Sequence, residues 1–132
     1  DVVPPATNDV LDVTISDLDD EVPVGSEIVY VVTVKNIQKV ADQNVVVVIT
    51  APEGMTPILN SIEAPSDNPV IDGRVVRFQP VAEIRPDEPL PLTYKVPLRA
   101  DQAGSFQVQV QVTSNAQRRP ILATVDSTVF EE

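Results

Sequence analysis

Residues 106–113 alternate apolar and polar side chains without interruption, in the order Phe-Gln-Val-Gln-Val-Gln-Val-Thr. A period of two places successive side chains on opposite faces of a β-strand. This segment therefore predicts a strand that has one face in a core and the other face in water. A helix, which repeats every 3.6 residues, cannot sort these residues into two such faces.

Composition extends the prediction to the whole chain. Val supplies 25 of the 132 residues, and its β-branched side chain is stiff at χ1 and packs well on a pleated sheet. The 13 Pro residues are scattered along the sequence, where they interrupt helices but are tolerated at strand ends and turns. Aromatic residues make up 4% and Trp is absent, so the core is expected to be aliphatic. The length corresponds to one domain.

Segments with strand character are separated by turns rich in Pro, Gly and Asp. They are residues 11–15, 28–34, 45–49, 75–78, 92–98, 106–113 and 121–130. Gly25 is expected at a positive φ and Asp72-Gly73 in a hairpin turn, while Pro97 places its strand, or the end of that strand, at a sheet edge. The prediction is an all-β protein, an immunoglobulin-like antiparallel β-sandwich of about seven strands over residues 10–132. Residues 1–9, which contain Pro4-Pro5, are predicted to be a linker.

The parity of these segments predicts which side chains form the core. The predicted core residues are Leu11, Val13, Ile15, Ile28, Tyr30, Val32, Val34, Val45, Val47, Ile49, Phe78, Tyr94, Val96, Phe106, Val108, Val110, Val112, Val125 and Val129. A second apolar set, Val29, Val31, Val46 and Val48, has the opposite parity. If these side chains face outward they form an apolar patch, which we expect the chain's own connections, especially residues 57–73, to cover rather than a partner.

The order of turns and strands resembles a bacterial conserved-repeat family (domain of unknown function eleven) and the related CARDB modules. The matching residues are Val24-Gly25-Ser26-Glu27, Tyr30, Asn36, Asn44-Val45-Val46, Pro52-Glu53-Gly54, Val76-Arg77-Phe78, Ile84-Arg85-Pro86-Asp87 and the strand 92–98. Asp87 stands where the family pattern has Gly, although Asp also suits such a turn. The resemblance implies an exported immunoglobulin-like sandwich, present in tandem in large surface proteins, and it implies no catalytic residues.

Charge and residue types argue against several classes of function. The net charge of −11 and the dispersed Lys and Arg residues disfavour nucleic acid and anionic membrane surfaces as partners. No apolar run is long enough to insert in a membrane. His and Cys are absent, which removes Ser-His-Asp and Cys-His catalysis and most zinc chemistry. A paired-carboxylate hydrolase would lack the aromatic cluster that binds sugar, so we predict no enzyme activity, no catalytic residues and no cofactor.

Three groups of residues are candidate sites, and each has a simpler interpretation. Asp17, Asp19, Asp20 and Glu21 are candidate Ca²⁺ ligands or a solvated acidic turn. The stripe of Gln107, Gln109 and Gln111 either binds a glycan or a partner protein, or is simply the solvent-exposed face of a sheet. Lys35 with Asn36 or Asn115 forms an isopeptide bond, or Lys35 is an exposed strand-end residue.

The sequence predicts a non-catalytic spacer or adhesion module from a larger exported bacterial surface protein. It would lie outside the cell or on its surface, contact neighbouring modules of the same polypeptide or other surface proteins, and be monomeric in isolation. The alternative is a carbohydrate- or calcium-binding accessory module attached to an enzyme.

Overall fold

A computed structural model describes residues 11–17, 21–58, 62–64, 69–86 and 92–131, so the predicted linker 1–9 lies outside the described residues. These residues form eleven β-strands. In chain order they are β1 (Leu11–Asp17), β2 (Glu21–Pro23), β3 (Glu27–Asn36), β4 (Asp42–Thr50), β5 (Met55–Pro57), β6 (Val70–Asp72), β7 (Val75–Arg77), β8 (Val81–Ile84), β9 (Leu92–Ala100), β10 (Gly104–Thr113) and β11 (Ile121–Phe130).

The strands form two sheets that pack face to face. One sheet has the order β1-β3-β9-β5, and the other has the order β2-β11-β10-β4-β7-β6, with β8 paired to β4. Every pair is antiparallel except β2 with β11, which is parallel. The predicted all-β, immunoglobulin-like sandwich is confirmed. The expected count of about seven strands is too low, because β2, β5, β6 and β8 span only three or four residues and show no readable period.

The core lies between the sheets and consists of alternate residues of the long strands. Most of the predicted core residues are buried; Val13, Ile15, Phe106 and Val125 are partly buried and pack against it. The buried apolar residues that the sequence prediction missed are Val22, Ala51, Met55, Val76, Ile84, Leu98 and Ala100. Most of these belong to the short strands or to strand ends, where parity is hard to assign.

Turn predictions at two glycines are confirmed. Gly25 has a φ of 94°, and Gly73 has a φ of 63° between β6 and β7, where Asp72 pairs with Val75. These left-handed values favour Gly, which has no Cβ.

Of the two alternatives predicted for Pro97, an edge position for the whole of β9 is wrong, because β9 lies between β3 and β5. The paired stretch of β5 covers only residues 98–100 of β9, however, so Pro97 lies where that pairing ends. β5 ends at Pro57, opposite Leu98, and just beyond it the Pro97 carbonyl accepts a hydrogen bond from Ile58 N at 3.0 Å. The proline nitrogen therefore faces Ile58 at the end of β5 rather than β3. The missing N–H leaves the β3–β9 ladder intact and forgoes only the return bond to Ile58.

The chain begins its first strand at one end of the sandwich, which we call the top. Leu11 pairs with Asn36, so β1 starts beside the end of β3. The β3–β4 loop (37–41) and the β10–β11 loop (114–120) lie at the same end, since Asn115 N donates to Gln43 O at 2.9 Å.

The last strand finishes at the opposite end, which we call the bottom. Val24 N donates to Phe130 O at 3.0 Å, which places the β2–β3 turn beside the end of β11. Asp101 N donates to Gly54 O at 2.8 Å, which brings the turns before β5 and before β10 to the same end. The polypeptide thus runs through the sandwich from top to bottom.

Candidate functional site

The acidic candidates do not converge on one point in the described structure. Asp17 follows Val13 and Ile15 on the inward face of β1, where it is half-buried and pairs in register with Tyr30. Glu21 starts β2 and is exposed. Asp19 and Asp20 lie outside the described residues. No group of three or more acidic side chains in the described ranges is placed to hold a metal ion.

Asp17 instead belongs to a hydrogen-bonded group at the bottom of the core. Ser127 Oγ donates to Asp17 Oδ2 at 2.6 Å, and the Tyr30 hydroxyl lies 2.7 Å from the same Ser127 oxygen. The Ser127 hydroxyl uses its one hydrogen in the bond to Asp17. Tyr30 is therefore the donor, and Ser127 the acceptor, in the bond between the two hydroxyls. Burial raises the pKa of Tyr30, the bond to Ser127 lowers it and the charge of Asp17 raises it again. The hydroxyl therefore stays neutral and completes a buried polar group.

A pocket opens on the outer surface next to this group. It has a volume of about 480 Å³ and combines hydroxyl, amide and carboxylate side chains, with residues Glu21, Ser105, Phe106, Gln107, Asp126, Ser127 and Thr128 as its lining. Gln107 Nε2 donates to Asp126 Oδ1 at 3.3 Å across the β10–β11 pair. The pocket offers mainly acceptor oxygens, which suit hydroxyl-rich or cationic groups.

The glutamine stripe lies on the outward face of β10, as predicted. Val108, Val110 and Val112 are fully buried, so Gln107, Gln109 and Gln111 face away from the core. Gln111 pairs with Leu122 on β11, which is 59% exposed, and with Val48 on β4. These cross-strand rows make a largely uncharged outer face.

The predicted apolar patch is two separate pairs. Val29 and Val31 lie on the outer face of the four-stranded sheet, whereas Val46 and Val48 lie on the outer face of the other sheet. The expectation that residues 57–73 cover all four is therefore wrong, because one segment cannot cover opposite faces. Each of the four side chains is half-buried within its own sheet surface.

The residues considered for an isopeptide bond are kept apart by their positions. Lys35 is exposed on the outer face of β3, while Asn36 is buried with its side-chain amide donating to Val40 O and Ile84 O, both at 2.9 Å. Asn115 accepts a hydrogen bond from Asn44 Nδ2 at 3.1 Å in the β10–β11 loop. An isopeptide bond needs contact between lysine and amide, and this arrangement does not provide it.

A buried carboxylate that the sequence analysis did not single out organises the top of the sandwich. Asp42 is 2% exposed. Its Oδ1 accepts from the backbone N of Gln43 at 2.8 Å and of Ala116 at 3.1 Å, while its Oδ2 accepts from Ser114 Oγ at 2.5 Å and Gln38 Nε2 at 3.1 Å. We call this the Asp42 hub. It ties the β3–β4 loop to the β10–β11 loop.

Tyr94 is fully buried against Phe78, with ring centroids 4.7 Å apart and an interplanar angle of 61°. Among the described residues its hydroxyl has no hydrogen-bond partner. Burial raises the pKa of Tyr94 well above its ordinary value of 10.0.

Replacing Tyr94 with Phe should leave stability equal or higher, by up to about 2 kcal/mol, because it removes an unpaired buried hydroxyl. The matched control Tyr30→Phe should lose about 1 kcal/mol, since it removes the bond to Ser127. A tyrosine whose pKa is raised on folding stabilises the protein fully below about pH 10, and this contribution falls as pH rises further. Urea denaturation at pH 7 and pH 11 should show a smaller alkaline loss for Tyr94→Phe than for the wild type. A lower stability of Tyr94→Phe at pH 7 would mean that the hydroxyl has a partner.

We expect no tight Ca²⁺ binding. A site with a Kd near 10⁻⁶ M would raise stability by about 4 kcal/mol at millimolar Ca²⁺. Thermal melts with 5 mM CaCl₂ or EDTA should therefore superimpose. A melting temperature that rises by many degrees with Ca²⁺ and falls back with chelator, and that no longer does so in Asp19→Asn/Asp20→Asn, would contradict this expectation.

Comparison with known proteins gives similarity at the level of fold. No protein-family model matches the chain, and no curated protein matches it. The CARDB domain of the PF1109 protein from Pyrococcus furiosus, in complex with di-metal ions, is 20% identical with a TM-score of 0.54, over 92% of this chain and 94% of that one. A cohesin module of a family 33 glycoside hydrolase from Clostridium perfringens is 19% identical with a TM-score of 0.57, over 93% and 98%.

An enzyme also has this fold. AvmM, which catalyses macrocyclization in alchivemycin A biosynthesis, is 11% identical with a TM-score of 0.59, over 95% of this chain and 91% of that one. At these identities the likenesses show the fold alone, an immunoglobulin-like sandwich, and they do not confirm the conserved-repeat family. No helix in the described part of the chain has the length and hydropathy to cross a membrane.

Proposed function

We propose that this chain is a non-catalytic spacer or adhesion module of a larger exported bacterial surface protein. The observation that carries the proposal is the path of the chain. β1 starts at the top and β11 finishes at the bottom, so a pull transmitted along the polypeptide acts parallel to the strands.

Such a pull loads the strand ladders in shear. β1 is held to β3 by seven registered residue pairs, and β11 is held to β10 by nine. Sliding either terminal strand along its neighbour requires its backbone hydrogen bonds to break together rather than one after another. A module loaded in this way keeps its neighbours at a fixed separation.

Chemistry and similarity support a non-catalytic role. The chain has neither His nor Cys, the residues that most often act as general base or nucleophile. Two of its structural neighbours are a CARDB domain and a cohesin module, and the sequence resembles exported repeat modules. The fold alone does not separate a spacer from an enzyme, since AvmM shares it. The proposed partners are neighbouring modules of the same polypeptide or other proteins of the cell surface.

Single-molecule pulling in two directions tests the mechanical role. The sequence contains no Cys, so pairs of cysteines introduced at exposed positions are unique attachment points. Asp12→Cys/Glu131→Cys pulls from top to bottom, along the strands. Glu53→Cys/Glu131→Cys pulls between two positions at the bottom, and serves as a control with the same core.

The top-to-bottom pair should unfold at the higher force and in one step. In that step the described chain should lengthen by roughly 3.3–3.6 Å per released residue. Equal forces in the two directions would refute the load-bearing role, because both variants keep the same fold and the same attachment point at residue 131, and only the top-to-bottom pair loads β1 against β3 in shear.

The pocket between β10, β11 and Glu21 favours a second candidate, a carbohydrate-binding accessory module. Its hydroxyl, amide and carboxylate groups are suited to hydrogen-bond a sugar, although no Trp or Tyr lines it. Calorimetric titration with soluble oligosaccharides of cell walls and of plant polymers tests it. Binding that is abolished by Asp126→Ala and retained in Asp72→Ala, a matched exposed carboxylate on β6, would favour this candidate over the spacer.

A further inference from the structure

The last strand presents a free backbone edge along its first half. On one side, β11 pairs with β10 along residues 121–129. On its other side it pairs only with β2, at residues 128–130. Among the described residues, no strand pairs with that second side along residues 121–127. This stretch is therefore an open border of the larger sheet.

The alternation of the strand identifies which backbone groups are free. Val24 N donates to Phe130 O at 3.0 Å, so the carbonyl of Phe130 points to the side of β2. The N–H and C=O of every second residue point to the same side of a strand. Those of Leu122 and Thr124 therefore point to the open border, where no described strand lies opposite them, whereas those of Ala123 and Val125 point to β10.

β2 shows what an added strand does to this side of the core. Beside it, the inward side chains Ser127 and Val129 are 2% exposed, and Val22 of β2 is 6% exposed. Where β2 is absent, the inward apolar side chains of β11, and those of β1 in the opposite sheet, are only partly buried: Ile121, Ala123, Val125, Val13 and Ile15. The core is thus closed where a strand has been added and partly open where none has.

This border also lacks the features that usually prevent strand addition, which are charged side chains, proline and bulges. Residues 121–125 are Ile-Leu-Ala-Thr-Val, their register with β10 is unbroken, and the outward Leu122 is 59% exposed. The strands at the other borders of the described sheets are less suitable. β2, β5, β6 and β8 span three or four residues, and β1 carries Asp12 and Asp17.

We propose that residues 121–125 of β11 bind an extended segment of another polypeptide, which joins the sheet as a further strand. The segment pairs with the backbone groups of Leu122 and Thr124. It also places apolar side chains, two residues apart, over Ala123 and Val125, in the way that Val22 covers the core beside Val129. The inference rests on the proposed adhesion role and specifies the partner as an extended segment that alternates apolar and polar residues.

A second copy of this chain fits the same border less well. Antiparallel pairing of two β11 strands around Thr124 would place Leu122 of each copy opposite Asp126 of the other. It would also bring together two chains that each have a net charge of −11, which repel each other at low salt. A segment of another protein meets neither obstacle.

The probe is the acetylated and amidated peptide Lys-Gln-Val-Gln-Val-Gln-Val-Lys, which has the alternation of residues 107–112 between two lysines. It is titrated to millimolar concentration into the ¹⁵N-labelled chain. In the free chain, the amides of Leu122 and Thr124 should exchange with solvent quickly, and those of Ala123 and Val125 slowly. Saturating peptide should shift the amide signals of residues 13–15 and 121–126 and slow the exchange of Leu122 and Thr124 at least about tenfold.

Two N-methylated peptides of the same charge test whether binding uses a backbone ladder. In a strand, the glutamine and valine amides of the probe point to opposite sides, so methylation of either set removes the donors of one side only. One of the two should bind at least about tenfold more weakly than the parent, and the other within about threefold. Loss with methylated glutamine corresponds to antiparallel addition, and loss with methylated valine to parallel addition.

A matched pair of variants tests the site on the protein. Thr124→Pro removes the free N–H of β11, and proline is tolerated where the N–H of an edge strand faces solvent. Thr124→Val changes only the side chain. The probe should bind Thr124→Pro at least about tenfold more weakly than the wild type, and Thr124→Val within about threefold. Circular dichroism shows whether each variant is folded, and the N-methylated peptides test the same ladder on the wild type.

Three results would overturn the proposal. The first is slow exchange of Leu122 and Thr124 in the free chain, which would mean that the chain itself or a second copy already covers the border. The second is equal binding of the two N-methylated peptides, and the third is no shift at millimolar peptide. None of these would change the difference in unfolding force between the two pulling directions, so the strand-addition site and the spacer role can fail separately.

Discussion

Val110→Asp should abolish folding, while Gln109→Lys should change stability by less than about 1 kcal/mol. Val110 is fully buried in the centre of β10, between Ile49 on β4 and Ala123 on β11. Placing a carboxylate there without a partner costs several kcal/mol, which is comparable to the ~5–15 kcal/mol stability of a whole domain. Gln109 is its immediate neighbour in sequence and faces the opposite side of the sheet, so a longer charged side chain remains in water.

Far-ultraviolet circular dichroism and amide chemical shifts measure the outcome directly. Val110→Asp should lose the β-sheet signal in circular dichroism and show narrow dispersion of its amide chemical shifts. Both spectra of Gln109→Lys should overlay those of the wild type. Similar melting temperatures for the two variants would mean that the faces of β10 are assigned the wrong way round.

Asp42→Ala should be the most damaging change at a polar position, with an expected loss of about 2–4 kcal/mol. It leaves the Ser114 hydroxyl and the backbone N–H groups of Gln43 and Ala116 without their acceptor, and each buried donor left unpaired costs about 1–3 kcal/mol. Water that reaches the loops should recover part of this loss.

Glu83→Ala is the matched control for Asp42→Ala. Glu83 is an exposed carboxylate on the neighbouring strand β8, opposite Gln43, and its removal should stay within about 0.5 kcal/mol. Urea denaturation gives both values. Hydrogen exchange should also show faster exchange at residues 114–117 in Asp42→Ala, with the centre of β10 less affected. An equal effect of the two substitutions would show that the Asp42 hub does not hold the top loops.

The sequence predicted the fold well where a strand is long and one of its faces is dry. In β10 the unbroken alternation around Val110 determined both the element and its orientation. The period of two in β1 carries similar information: Asp17 follows Ile15 by two residues and Val13 by four, so its inward position beside Tyr30 could have been predicted. The parity of β1 alone argues against Asp17 as a free Ca²⁺ ligand.

Features that depend on which sheet a strand joins could not be predicted from the sequence. Val29 and Val46 share the same outward parity, and nothing in their local sequence shows that they belong to opposite faces of the sandwich. Asp42 is comparable: beside Gln43 and Asn44 it reads as part of a polar loop, because its donors at Ser114 and Ala116 are distant in sequence.

The Asp42 hub has a consequence for protein engineering. It anchors two loops through backbone atoms and through the buried side chains of Asp42 and Ser114, whereas Ile37, Lys39 and Arg118 of the same loops point to solvent. The three solvent-exposed positions can be randomised while the Asp42 hub stays intact. The top of this cysteine-free sandwich is therefore a ready acceptor for a library of binding loops, displayed on a scaffold that refolds without oxidation chemistry.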